Sequence, residues 1–202
     1  MRRSVQFFNE RRLRELMDRK NIDLIILRTV ENSIYVSEFF NNGGELGYRP
    51  FTVFYFRDPG TAPAFVVPAV DLHLARESTW IEDVRAYAMA EFITDVGRDF
   101  YRDFFEAAAA ILAERKVRNM VVGIEGENLT AGFRSRLEAL LVGNSVVEIN
   151  QDMDQVRMVR LPRRSGAFTT PARSPRKRTR ASGLPSSLAT PTPTCTRPRS
   201  FG

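Results

Sequence analysis

The stretch 5-VQFFNERRLRELMDRKNIDLIILR-28 changes its hydrophobic period once, and that change sets the fold class. In its first part Phe8, Leu13, Leu16 and Met17 recur near helical spacing with charges between them, the pattern of an amphipathic helix. Asn21 reads as its stop. The run 23-DLIILR-28 then sets four apolar residues side by side, as a strand does when both its faces are buried. A helix feeding such a strand belongs to a sheet with helices on both sides.

The rest of the chain repeats that alternation. Residues 30–40 read as one or two helical turns, and 41-NNGGELGYRP-50 as a glycine loop. The segments 51-FTVFYFR-57 and 64-AFVVP-68, joined by 58-DPGTAP-63, form a hairpin. Residues 69–79 read as helix and 82–88 as an edge strand. The longest helix is expected over 94–116, capped by Thr94 or Asp95 and carried by the Ala107–Ala110 run. A strand at 119-NMVVGIEG-126, a helix capped by Thr130 through about Leu141, a strand at 145-SVVEI-149 and a helical turn or two over 150–160 complete the order. The prediction is one α/β domain over residues 1–160, with a three-layer mixed β-sheet and helices on both faces.

The chain carries a formal charge of +6, but residues 163–202 hold nine Lys/Arg and no Asp or Glu, which leaves 21 basic and 24 acidic residues in 1–162. A mildly acidic domain argues against a nucleic-acid-binding fold, which needs a basic face of its own. The last 40 residues contain six Pro, six Ser and seven Thr, and only four from Leu, Ile, Val and Phe. They bury too little apolar surface to offset an ordering entropy of roughly 1–2 kcal/mol per residue, so 161–202 is predicted to be a disordered basic tail. The single cysteine, Cys195, allows neither a disulfide framework nor a cysteine-based zinc site. No apolar run reaches about 18 residues, and the residues after Met1-Arg2-Arg3-Ser4 are too polar for a signal peptide. The expectation is a cytoplasmic protein without a membrane span.

Four segments, in order, carry a resemblance. They are 12-RLRELMDRKNIDLIIL-27; 32-NSIYVSEFF-40, similar to an Asn-x-x-Tyr-(Leu/Tyr)-(Ser/Thr)-Gly-(Phe/Trp) signature with Glu38 where glycine is usual; 121-VVGIEGENLT-130; and 152-DMDQVRMVRLP-162. Together they resemble the N-terminal domain of the creatinase, prolidase and aminopeptidase P superfamily, over residues 5–162. The resemblance implies a ribonuclease-H-like α/β fold that builds dimer contacts, partly covers an active site and has no metal site of its own. It places catalysis in a following domain, where the peptidases hold two divalent metals such as Mn or Zn that activate water. It also implies that an arginine shortly after the Asn-x-x-Tyr signature, here Arg49, contacts a substrate carboxylate in a partner's site through its bidentate fork. Tyr35, Phe39 and Phe40 either line that pocket or pack in the core. After Pro162 the family-like sequence stops within one or two residues. That abruptness predicts a reading-frame shift near codon 162, against which stands a genuine disordered tail.

The remaining candidates read as structural. His73, the only histidine, lies on an expected helix with Asp71 on a different side, and no partner is in view for a catalytic base. Glu148, Asp152 and Asp154 lack the glycine turn of a cation loop and read as a solvated linker. Glu125 and Glu127 follow a strand, where α/β sites often lie, but read as strand-end surface. The loop 43-GGELG-47 lacks the phosphate-loop pattern. The leading expectation is a domain without catalysis or cofactor of its own, which in a full-length parent serves a homodimer and shapes a partner's active site. A binding module whose basic tail, Arg176–Arg180 above all, contacts nucleic acid is the second reading. A free-standing peptidase or amidinohydrolase is the third.

Overall fold

Asn9 opens the first helix, α1 (Glu10–Lys20): its side chain accepts from the Arg12 amide, and Asn21 closes the helix in the left-handed region. Phe8 stands ahead of that cap rather than inside the helix. It is buried in one cluster with Leu13, the two holding the positions of a hydrophobic staple. The chain continues through β1 (Leu24–Leu27), α2 (Val30–Ser37), the hairpin β2 (Thr52–Phe56) and β3 (Ala64–Pro68), a 3-10 turn (Ala69–Asp71) and α3 (Leu72–Ser78). Then come β4 (Asp83–Tyr87), β5 (Phe100–Tyr101), α4 (Phe104–Glu114), β6 (Val121–Ile124), a second 3-10 turn (Gly126–Asn128), α5 (Ala131–Leu140), β7 (Ser145–Glu148) and α6 (Asn150–Met158). The structure is a computed structural model and describes residues 7–41, 50–88 and 100–158. The expected glycine loop falls mostly on 42–49, and the expected tail on 161–202, outside the described residues.

The strands form one mixed sheet in the order β5-β4-β3-β2-β1-β6-β7. β2 runs antiparallel to both neighbours, and every other pair is parallel. Six strands therefore point the same way, and their carboxyl ends share one edge of the domain. Side chains alternate between the two faces with the strand period of two. Ile25, Leu27, Val53, Tyr55, Phe65 and Val67 face a core built with α1, α2, α3 and α6. Leu24, Ile26, Phe54, Phe56, Ala64 and Val66 face a second core built with α4 and α5. Each of these Val, Leu, Ile and Phe side chains stabilises by about 1.5–3 kcal/mol when buried. All four residues of β1 are buried, which suits a central strand.

The far edge differs from the sequence expectation. The long helix begins at Phe104, and its cap is Asp103, whose side chain accepts from the Glu106 amide. Glu106 returns a bond to the Arg102 amide at 2.7 Å. An alanine run sets helix propensity but not the starting point; a capping acceptor three residues ahead of a glutamate does. Phe100–Tyr101 pair with β4, so β4 is an inner strand and β5 the edge.

Candidate functional site

β1 and β6 run side by side, with Ile26 opposite Ile124. The residues that follow them, Arg28 and Glu125, emerge together at the carboxyl edge. Glu125 is 1% exposed. One carboxylate oxygen accepts from the Arg28 and Thr29 amides, the latter at 2.8 Å. The other accepts from Thr29 Oγ1 at 2.5 Å and from Asn32 Nδ2. Thr29 is the cap of α2, so the carboxylate sits at the positive end of that helix. A buried carboxylate is tolerated only when its lone pairs are satisfied, and here four donors converge on it. The expectation of strand-end surface holds for exposed Glu127 and fails for Glu125. The donors lie more than 90 positions away in sequence, where no local pattern shows them.

Above this knot lies a polar cavity of about 340 Å³, lined by residues of the β1–α2 turn, the second 3-10 turn and α6. Asn32, Glu31, Glu127, Asn150, Asp154 and Arg157 all face it. The Glu127 amide reaches Asn150 Oδ1 at 3.5 Å, and Arg157 pairs with Asp154 at 2.5 Å. The carboxyl ends of parallel strands are where open α/β sheets place their ligands.

Of the carboxylates read from sequence as a solvated linker, Glu148 and Asp154 are exposed but ion-paired, and Asp152 is half-buried. Glu148 accepts from the Gly126 amide at 2.8 Å and pairs with Arg134 at 2.8 Å. Asp152, with a side chain only 15% exposed, holds Lys20 at 2.5 Å and ties α6 to α1. Only Asp152 is drawn out of solvent, by Lys20 at the end of α1; Glu148 and Asp154 stay exposed, as expected. Among the described residues no group of three or more His, Cys, Asp or Glu is placed to hold a metal ion. These described residues therefore do not supply the ligands of a divalent-metal pair.

Beside the knot, the Arg28 guanidinium lies over the rings of Phe133 at 3.9 Å and Phe104 at 4.9 Å, and donates to Thr52 Oγ1 at 3.0 Å. Burial lowers its pKa to about 10. Burial also raises that of Tyr87 to about 12, and the Tyr87 hydroxyl donates to Pro50 O at 3.1 Å. The cation–π stack compensates part of Arg28's lost hydration.

The other sequence candidates separate cleanly. Tyr35 is 4% exposed, its ring edge-on to Phe8 and its hydroxyl accepting from the Asn9 amide at 3.0 Å. Phe39 is buried against Phe51 and Phe65, whereas Phe40 is exposed. Arg49 lies outside the described residues. His73 is exposed on α3 and reaches Glu77 at 3.4 Å, one turn on; Asp71 is buried ahead of the helix, where Asn41 bonds it at 2.5 Å.

The mixed sheet of six parallel-pointing strands and one antiparallel strand, covered by helices on both faces, defines a three-layer α/β domain. The chain belongs to the Creatinase/Prolidase N-terminal domain family, which matches residues 11–159. Solved structures agree in fold. A proline dipeptidase from Streptococcus pneumoniae superposes with a TM-score of 0.58 at 14% identity, over 75% of this chain and 98% of that one. The N-terminal domain of the cytoplasmic peptidase PepQ from Mycobacterium tuberculosis gives 0.54 at 16%, over 72% and 95%. An X-Pro aminopeptidase from Thermotoga maritima gives 0.53 at 18%, over 74% of this chain but 35% of that one. No curated protein matches the chain. Identities this low speak to the fold alone.

Proposed function

We propose that residues 1–160 act as a non-catalytic domain of a creatinase-like or Xaa-Pro peptidase-like protein, contributing dimer contacts and shaping a partner's active site. The observation that carries this reading is the family match over residues 11–159. The same fold covers about a third of the X-Pro aminopeptidase and nearly all of the separate PepQ domain. In this reading the hydrolytic chemistry, and the two divalent metals such as Mn or Zn that drive it, belong to another domain. Arg49 is our candidate for contact with a substrate carboxylate in the partner's site. Tyr35 is the weaker candidate, because its hydroxyl already serves the Asn9 amide at the start of α1.

Among the described residues no helix is long and apolar enough to cross a membrane. A cytoplasmic location accords with the name of the PepQ relative. Nucleic acid enters only as a non-specific, salt-dependent partner of the basic stretch 176–180. Sedimentation equilibrium of the purified chain tests the association: a concentration-dependent dimer is expected, and a monomer at every concentration examined overturns it.

A further inference from the structure

We propose that the open cavity between the carboxyl ends of α4 and α5 binds a medium-chain carboxylate, its hydrocarbon chain against the helices and its anionic end at Lys116 and Arg118. The cavity measures about 710 Å³, within the range of small-molecule sites. Ala109, Leu112 and Ala113 line it from one face of α4, spaced i, i+3 and i+4. Leu140 and Val142 line it from the end of α5 and the turn beyond. The Asn119 amide donates to Gly143 O at 3.2 Å and ties the two closing turns together at one end. The alanine run serves both sides of its helix. Ala107 and Ala108 are buried in the core, while Ala109 and Ala113 leave room where larger side chains would fill the trough. Val142, at its rim, is 81% exposed, the most of any large apolar residue described.

The charged part of the lining has one sign. Lys116 and Arg118 line the cavity, and no Asp or Glu does. Both are exposed, and among the described residues neither side chain forms an ion pair or a hydrogen bond. The nearest acids in sequence are already taken, Glu114 by Arg85 at 2.5 Å and Glu138 by Arg134 at 2.8 Å. The last carbonyls of α4 are covered too. Leu112 O accepts from the Val117 amide at 2.9 Å and Ala113 O from the Lys116 amide at 3.1 Å, so neither is left bare towards an incoming anion. The backbone holds this arrangement against local preference. Five described residues take a positive φ, and three of them, Lys116, Asn119 and Gly143, line this one cavity. Lysine in the left-handed position that ends a helix, where glycine or asparagine is usual, is sterically unfavourable. Strain of this kind gathers where a chain serves a ligand.

An apolar chain with a carboxylate at one end matches both parts of the lining. Acetate or phosphate brings no apolar surface to bury, and an alkylammonium sets its charge against Lys116 and Arg118. The chain from Ala109 to Lys116 spans about 10 Å at the helical rise, which suits a medium-length acid rather than a full membrane lipid. The inference depends neither on dimerisation nor on which domain performs hydrolysis.

The test is a titration of the isotopically labelled full chain, followed through the backbone amide signals of Ala109, Ala113 and Val142. The probes are octanoate, butyrate and octylammonium, each below its micelle-forming concentration. Reading the shifts at the cavity separates binding there from attraction of an anion to the basic tail. Saturable shifts with octanoate and none with octylammonium are expected. Butyrate should bind at least about tenfold more weakly, since a fully buried methylene is worth about fourfold. Lys116→Gly should weaken octanoate binding about threefold, the loss of one exposed ion pair, and at the same time raise the melting temperature by relieving the left-handed backbone. Ala113→Trp, at an exposed helix position, should fill the trough and abolish the shifts, and its melting curve reports whether the fold is intact. No saturable shift with octanoate, equal binding of butyrate or octylammonium, or unchanged affinity in both variants overturns the proposal.

Discussion

The two ends of the β1–β6 pair are both clasped by a carboxylate, and the clasps differ. At the amino end Asp23 donates its amide to Val121 O at 2.8 Å and accepts the Arg57 amide on its carbonyl at 2.9 Å. Its carboxylate accepts from the Val121 amide at 2.9 Å and pairs with the Arg57 guanidinium. At the carboxyl end Glu125 is equally well served, but the space directly above it is polar, open and incompletely bonded. The amino-end clasp is fully bonded but partly exposed. The other is closed below, at Glu125, and open above, where the polar cavity lies.

The largest expected effect is at Glu125. Replacement by alanine strips the acceptor from several buried donors and should cost on the order of 3 kcal/mol or more in urea unfolding. A loss below about 1 kcal/mol would show that the knot is not what holds the β1–α2 turn. Asp23→Ala should cost less, about 1–2 kcal/mol, because water reaches part of the amino-end clasp and replaces some of its bonds. The double variant sharpens the contrast. The two clasps sit at opposite ends of β1 and share no partner, so their losses should add to within about 0.5 kcal/mol.

A smaller change is expected at Arg28→Met. It removes the cation–π stack and the Thr52 bond, but also the cost of burying the charge, and the net should stay within about 1 kcal/mol by thermal unfolding. The smallest is a pH effect away from both clasps. Burial raises the Glu10 carboxyl's pKa, but the bonds from Tyr55 and Arg14 outweigh it and hold the value below 4.5. A lowered folded value means that Glu10's contribution is present above 4.5 and disappears as pH falls through the folded pKa. The gap in melting temperature between the wild type and Glu10→Gln should therefore be open near neutrality and close in acid.

Much of the fold was legible because it rests on local rules. The period change at Asn21, the apolar run at Leu24–Leu27 and the Asp58–Pro63 turn each declare themselves within a few residues. The start of α4 was not, because the alanine run extends a helix smoothly and the Asp103 cap competes with other acidic and hydroxyl residues upstream. The site was less legible. Glu125 looks like any carboxylate after a strand until the turn after the neighbouring strand β1 brings Thr29 and Asn32 to it. Asp152 looks solvated until α1 brings Lys20 beside it. Such pairings belong to topology, and residue type alone does not reveal them.

Hydrolysis is the most direct test of the claim that this domain is not itself an enzyme. The purified chain, supplied with Mn²⁺ or Zn²⁺, would be offered a panel of Xaa-Pro dipeptides and proline release followed. Proline release no faster than the metal-and-buffer blank is expected. Turnover above that blank, abolished by a single substitution within residues 1–160, would contradict it.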